Sequence, residues 1–171
     1  MVVIRLETPN DHEAIEQLTI AAFAGKPYSD SNEHLIIRGL RAAEALSLSL
    51  VAEKDGNILG NIAFSIVKIN GEDKGWYGLG PVSVLPAFQR QGIGSALINE
   101  GLIQIRDMGA RGCVLEGNPD YYRRFGFKSY PRLIYEGVPA AIYFMALPFG
   151  NEVPDGKVEF HPAFYTTAST K

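Results

Sequence analysis

Two dipeptides restrict this chain more than any other feature. Asp55-Gly56 and Asn70-Gly71 separate three apolar, β-rich runs, Leu46 to Glu53, Ile58 to Ile69 and Lys74 to Leu85. Asp-Gly and Asn-Gly favour the positive backbone angles of two-residue hairpins, whose twist matches that of the strands they join. Three consecutive strands joined this way make an antiparallel meander, so a sheet occupies the middle of the chain. The third strand carries Gly78, Gly80 and Pro81. Proline has no N–H to give to a ladder, so this strand is expected to be bulged or unpaired near Pro81.

Helices are expected on either side of the meander. Val2 to Leu6 reads as a strand, and Thr8-Pro9-Asn10-Asp11 supplies capping residues to a helix whose Ile15, Leu18 and Ala22 fall on one face. Gly25-Lys26-Pro27 breaks it, Tyr28 to His34 is a polar loop, and a second helix aligns Leu35, Ile36, Leu40 and Ala43. After the meander, Pro86 ends the third strand, and a long helix to about Met108 repeats Ile93, Leu97, Leu102 and Ile105 at helical spacing before Gly109 stops it. Gly112 to Glu116 is strand-like, and strand, helix and strand in succession imply a right-handed parallel crossover. A short helix at Tyr121 to Phe125 precedes expected strands at Phe127 to Tyr130 and Ala140 to Leu147, with a candidate strand at Lys157 to Phe160. The fold class is therefore α/β (α+β), helices flanking one mixed sheet.

Composition removes several functions. A length of 171 residues with 46% hydrophobic and 20% charged positions suits one domain. Sixteen Lys and Arg against 19 Asp and Glu give a net charge of −3, with no basic stripe of the kind a nucleic-acid surface requires. No run approaches the ~18 apolar residues of a membrane span. The stretch Met1 to Pro9 carries Arg5 and Glu7 and does not read as a secretory signal, so a cytoplasmic location is expected. Cys113 is the only cysteine, and His12, His34 and His161 show no ligand spacing, so no metal site is expected.

The chemistry concentrates between Gly80 and Ser95, where a bulged strand ends, a glycine-bearing turn follows and a helix begins. The first N–H groups of a helix lack internal partners and carry roughly half a positive charge. Gly92 and Gly94 allow a ligand close to the backbone, and Arg90 adds a full charge, which together suit a phosphate or pyrophosphate. No Gly-Lys-Ser/Thr follows, and the third glycine of the dinucleotide fingerprint is missing, so neither of those phosphate loops is present.

The run Gly80-Pro81-Val82-Ser83-Val84-Leu85-Pro86, then Gln89-x-x-Gly92-x-Gly94, resembles the acetyl-CoA motif of the GNAT superfamily, the Gcn5-related N-acetyltransferases. Tyr121-Tyr122-Arg123-Arg124-Phe125-Gly126-Phe127 is similar to that family's second signature. The segment from Leu115 to Phe127, with Glu33-x-Leu35 and Leu48 to Glu53, resembles the YhbS-type subgroup. The resemblance spans roughly residues 2 to 148 and implies a mostly antiparallel sheet with a V-shaped splay between strands 4 and 5. It implies a GNAT domain at 1–148, with 149–171 as a tail packed on it.

The resemblance also assigns roles. Gln89, Arg90, Gln91, Gly92, Ile93, Gly94 and Ser95 would surround the CoA pyrophosphate. Val82, Ser83 and Val84 would run beside the pantetheine arm, with a backbone N–H among them polarising the thioester carbonyl. The amine attacks directly, so Cys113 is left as a small buried hydrophobe. Tyr122 is the candidate acid for the departing thiolate, by proton transfer or by hydrogen bonding. Tyr121 and Phe125 either line the cofactor or simply pack, and Asn118 either binds the arm or forms a turn. Many relatives place a glutamate on the bulged strand, where Leu79 to Ser83 offers none; Glu116 and Glu33, the latter beside the acceptor, are the candidate bases. Trp76 and Tyr77 either line the acceptor pocket or pack within the strand. The implied co-substrate is acetyl-CoA and the partner a small-molecule or peptide amine; a longer acyl-CoA, or a CoA-binding sensor without catalysis, are the alternatives. A homodimer is compatible with the resemblance.

Overall fold

Both hairpin turns form as expected: Asp55 and Gly56 take φ of 52° and 81°, Asn70 and Gly71 of 52° and 79°. A computed structural model describes residues 1–165. Its elements are β1 (Val3–Leu6), α1 (His12–Phe23), α2 (Glu33–Ala42), β2 (Leu48–Lys54), β3 (Asn57–Ile69), β4 (Glu72–Val84), α3 (Ile93–Asp107), β5 (Gly112–Glu116), α4 (Pro119–Tyr122), β6 (Leu133–Ile134), β7 (Phe144–Pro148) and β8 (Gly156–Glu159). The sheet runs β1-β2-β3-β4-β5-β7 and is antiparallel throughout except at β4–β5, which is parallel. On β3, Ile62 faces Val82 and Phe64 faces Leu79, so Gly80 and Pro81 together oppose Ala63. That two-against-one count is the expected bulge, and it bends the end of β4 away from its straight course.

Alternation along β2 divides the core. Leu50 and Ala52 face α3, joining buried Leu97, Ile98 and Ile105 with Ile62 and Phe64. Val51 faces the other way, onto Ile15 of α1 and Ile37 of α2. Each such aliphatic side chain contributes about 1.5–3 kcal/mol by leaving water. At the edge, Arg5 donates to Asp11 at 2.8 and 3.0 Å and to Glu53 at 2.6 Å, tying β1 to the start of α1. The guanidinium holds the Asp11 carboxyl at about 2, well below its usual range.

The chain beyond β5 departs from the sequence reading in several places. Phe127 to Tyr130 forms no strand; only Lys128 bridges, to Ala146, and Pro131 cannot extend a ladder. The strand expected from Ala140 begins at Phe144, opposite Glu116; before it Ala141 to Tyr143 wind into a single tight turn, and only the Tyr143 carbonyl reaches across, accepting from the Gly117 N–H at 2.8 Å. Helix α2 starts at Glu33 and takes in His34, while Ala43 lies past its end and is exposed. The candidate strand near 157–160 forms as β8, pairing Lys68 with Glu159 and Ile69 with Val158 where β2 no longer covers β3. The two-residue β6, paired parallel to β8, is too short a signal to read from sequence. The tail's last residues, 166–171, lie outside the described residues.

Candidate active site

The parallel contact between β4 and β5 lasts for three residue pairs, Trp76 with Gly112, Tyr77 with Cys113 and Gly78 with Val114. Past Gly78 the bulged end of β4 continues beside β3, while Leu115 and Glu116 of β5 stay with Met145 and Phe144 of β7. The two strands diverge into a V. Leu85 donates its N–H to the Leu59 carbonyl at 2.9 Å, so by strand alternation Ser83 also turns its backbone to β3, and Val82 and Val84 turn theirs to the gap. Gln89 Nε2 donates to the Val84 carbonyl at 2.9 Å from that side. The Ser83 side chain is buried on the opposite face, its hydroxyl 3.4 Å from that of Thr19 in α1. Neither its backbone nor its side chain faces the gap.

At the open end of the V the chain turns into α3. Arg90 and Gly92 both take positive φ, 63° and 86°. Backbone in such a turn directs successive N–H groups to one side, a shape that suits anions. The helical ladder opens with Ala96 donating to the Gly92 carbonyl at 3.0 Å, which leaves the N–H groups of Ile93, Gly94 and Ser95 without a helical acceptor. A side chain placed on Gly92 would meet no protein atom within 4 Å, so the space before these donors is open.

Helix α4 forms one wall. Asn118 caps it, its Oδ1 accepting from the Asp120 N–H at 2.9 Å. The rings of Tyr121 and Tyr122 meet edge-on at 5.0 Å, and Phe125 packs on both. The Tyr121 hydroxyl lies 3.4 Å from Ser95 Oγ, linking α4 to the first turn of α3. Tyr122 lies against Gly117: a Cβ there would stand 2.5 Å from Tyr122 Cε2. Burial, reinforced by Tyr121, Cys113 and Tyr28, pushes the Tyr122 phenol above its ordinary range, so it stays protonated. Cys113 is fully buried and its thiol is pushed up by burial, which suits core packing and not nucleophilic attack.

The opposite face of the gap carries carboxylates. Leu115 packs with Tyr122 in the α3-side core, so alternation sends Glu116 to the α1–α2 side. Solvent still reaches it, but partial burial and then the charge of Asp30 hold its carboxyl above the usual range. Tyr135 lies near Glu116, its phenol pushed up by burial and by a hydrogen bond with Tyr165. Glu33, in the first turn of α2, accepts from Ser29 Oγ at 2.8 and 2.7 Å and so braces the loop that carries Tyr28 and Asp30. Tyr28, Asp30 and Tyr135 were not singled out from sequence, since their segments are irregular and carry no periodic signal. Trp76 is buried over Gly112 in the core, and Tyr77 packs against the α3-side core. Among the described residues no group of three or more His, Cys, Asp or Glu is arranged to hold a metal.

The chain has counterparts among known proteins. Residues 45–129 match the family described as Acetyltransferase (GNAT) domain. The N-acetyltransferase YhbS of Escherichia coli strain K12 is 37% identical over 128 residues, 74% of each chain. The chain belongs to the GNAT acetyltransferase family. Solved GNAT structures agree along nearly the whole length. A GNAT family acetyltransferase from Brucella melitensis, in complex with acetyl-CoA, is 55% identical with a TM-score of 0.87, covering 96% of this chain and 98% of that one. Escherichia coli YhbS, in complex with CoA, is 31% identical with a TM-score of 0.88, covering 96% and 92%. As a GNAT protein the chain is an acyl-CoA-dependent acetyltransferase, as the signatures at 80–95 and 121–127 imply.

Proposed function

We propose that this GNAT enzyme moves the acetyl group of acetyl-CoA directly to a primary amine, both substrates being bound at once. The observation that supports this reading is that the V passes through the sheet. Phosphate-ready amides and Tyr122 stand toward the α3 side, while Glu116 stands toward the α1–α2 side, so donor and acceptor approach from opposite faces. The pyrophosphate of CoA rests on the N–H groups at the start of α3 with Arg90 beside them, and the pantetheine arm pairs with Val82 and Val84 as an added strand. The amine belongs to a small molecule or a peptide.

Attack needs a neutral amine, whereas an alkylamine of pKa ~10.4 is almost wholly charged at pH 7. Glu116, its carboxyl raised toward neutrality, accepts that proton. The nitrogen lone pair forms the C–N bond, and the carbonyl electrons move onto oxygen, where a backbone N–H of Val82 or Val84 stabilises them. Collapse of this intermediate breaks the C–S bond, releases CoA thiolate and leaves the new amide nitrogen to give up its second proton to solvent. An ordinary phenol, pKa ~10, is already a weaker acid than a thiol near 8.5, by about 2 kcal/mol. Burial of Tyr122 widens that difference, so its hydroxyl stabilises the thiolate by hydrogen bonding and solvent supplies the proton. Residues 1–148 carry this chemistry, and the described part of the tail, 149–165, belongs to the same domain. No described helix is long and apolar enough to cross a membrane; the cytoplasmic location expected from the sequence is kept.

The test is release of free thiol from acetyl-CoA across a panel of polyamines, amino acids, antibiotics and peptides. Steady release with acetylation of one class is the expected outcome. Tight CoA binding with no turnover on any amine would replace the enzyme by a CoA sensor, and turnover restricted to longer acyl-CoA would change the donor.

A further inference from the structure

We infer that Arg124 binds a phosphate of the CoA nucleotide, through a guanidinium that Tyr121 holds in place. This rests on CoA as the donor and adds a residue to its site. Arg124 Nε donates to the Tyr121 carbonyl at 2.9 Å, and its guanidinium carbon lies 4.6 Å from the centre of the Tyr121 ring. The hydroxyl at the far end of that ring is 3.4 Å from Ser95 Oγ, in the first turn of α3, and lies 3.5 Å from where a Cβ of Gly94 would be. One tyrosine therefore spans from the phosphate-ready amides to the arginine.

The guanidinium is fixed at one edge, and among the described residues no acceptor meets the other. Arg5, Arg38, Arg41 and Arg132 each pair with a carboxylate, and Arg123, next in the chain, points to Asp120 at 3.9 Å. Arg124 makes no such pair among the described residues and is exposed. Its two terminal nitrogens keep their donors, and an arginine held at Nε and stacked on a ring has already given up much of the freedom that anion binding would cost. A fork of N–H groups of this shape fits two oxygens of a phosphate. CoA carries two candidates, the pyrophosphate that the α3 amides face and the 3′-phosphate of its ribose.

Calorimetric titration with CoA and with 3′-dephospho-CoA tests the assignment in the wild-type chain, Arg124→Gln and Arg123→Gln. Arg124→Gln is expected to weaken CoA about tenfold, the size of one charge-assisted hydrogen-bonding pair, and Arg123→Gln to leave it unchanged. If the 3′-phosphate is the ligand, dephospho-CoA binds wild type and Arg124→Gln alike; if the pyrophosphate is, the tenfold loss persists. Unchanged CoA affinity in Arg124→Gln, or an equal loss in Arg123→Gln, would overturn the assignment alone. A wild-type chain that binds no CoA would overturn the donor itself. Thermal melts of both variants, which change exposed side chains, confirm that each is folded.

Discussion

Tyr122 owes its position to a residue without a side chain. Its ring rests on Gly117, and no hydrogen bond among the described residues orients its hydroxyl, so packing alone aims it. Tyr122→Phe is expected to lower kcat by about ten- to a hundredfold while CoA affinity stays near normal; an unchanged kcat would remove the hydroxyl from the reaction. Gly117→Ala should lower kcat similarly by pushing the ring aside, and should add little when Tyr122 is already Phe. An additive double variant would show that Gly117 acts elsewhere. Glu116 makes a separate prediction through pH. Its raised carboxyl must be ionised to accept a proton, so kcat/KM should climb with pH through an apparent pKa above the ordinary carboxylate range, and Glu116→Gln should lose that limb. A wild-type profile flat across that interval would exclude Glu116 as the base.

Helix α3 shows how one element serves both fold and site. Its Leu97, Ile98 and Ile105 are buried against the sheet, which anchors its axis, and the same axis aims its first N–H groups at the mouth of the V. Gly92, at φ 86°, supplies the turn into the helix where L side chains are strained. Gly92→Val is expected to weaken CoA at least tenfold, both through that strain and because the branched side chain would project into the open space before the amides. Full affinity in a folded variant, measured by calorimetry, would place the phosphate elsewhere. Elements with strong local signals were legible: both hairpins, the bulge at Pro81 and the start of α3. The strands after β5 were not, because their limits depend on where a partner stops. Phe144 begins β7 opposite Glu116, where β5 ends, and nothing local to residues 140–147 records that.

Across the whole molecule, the C-terminal segment supports the acceptor side. Phe160 packs on Tyr135 and Phe164 with ring centres 5.0 Å apart, and reaches the backbone of Gly78 at the apex of the V. Phe160→Ala should cost about 3–5 kcal/mol, lowering Tm by roughly 10 °C. Because Tyr135 stands near Glu116, the variant should also raise KM for the amine more than for acetyl-CoA. A drop in Tm with both KM values unchanged would confine the segment to stability. Turn dipeptides, a proline in a strand and glycines at a helix start act over a few neighbouring residues, so the meander, the bulge and the phosphate-ready turn could be read along the chain. The joining of Glu116 with Asp30, of Tyr122 with Tyr28, and of Arg124 with the first turn of α3 through Tyr121 required the folded state. Those contacts arise where the divergence of two strands sets the distances between segments far apart in the chain, and such distances leave no periodic mark in the order of the residues.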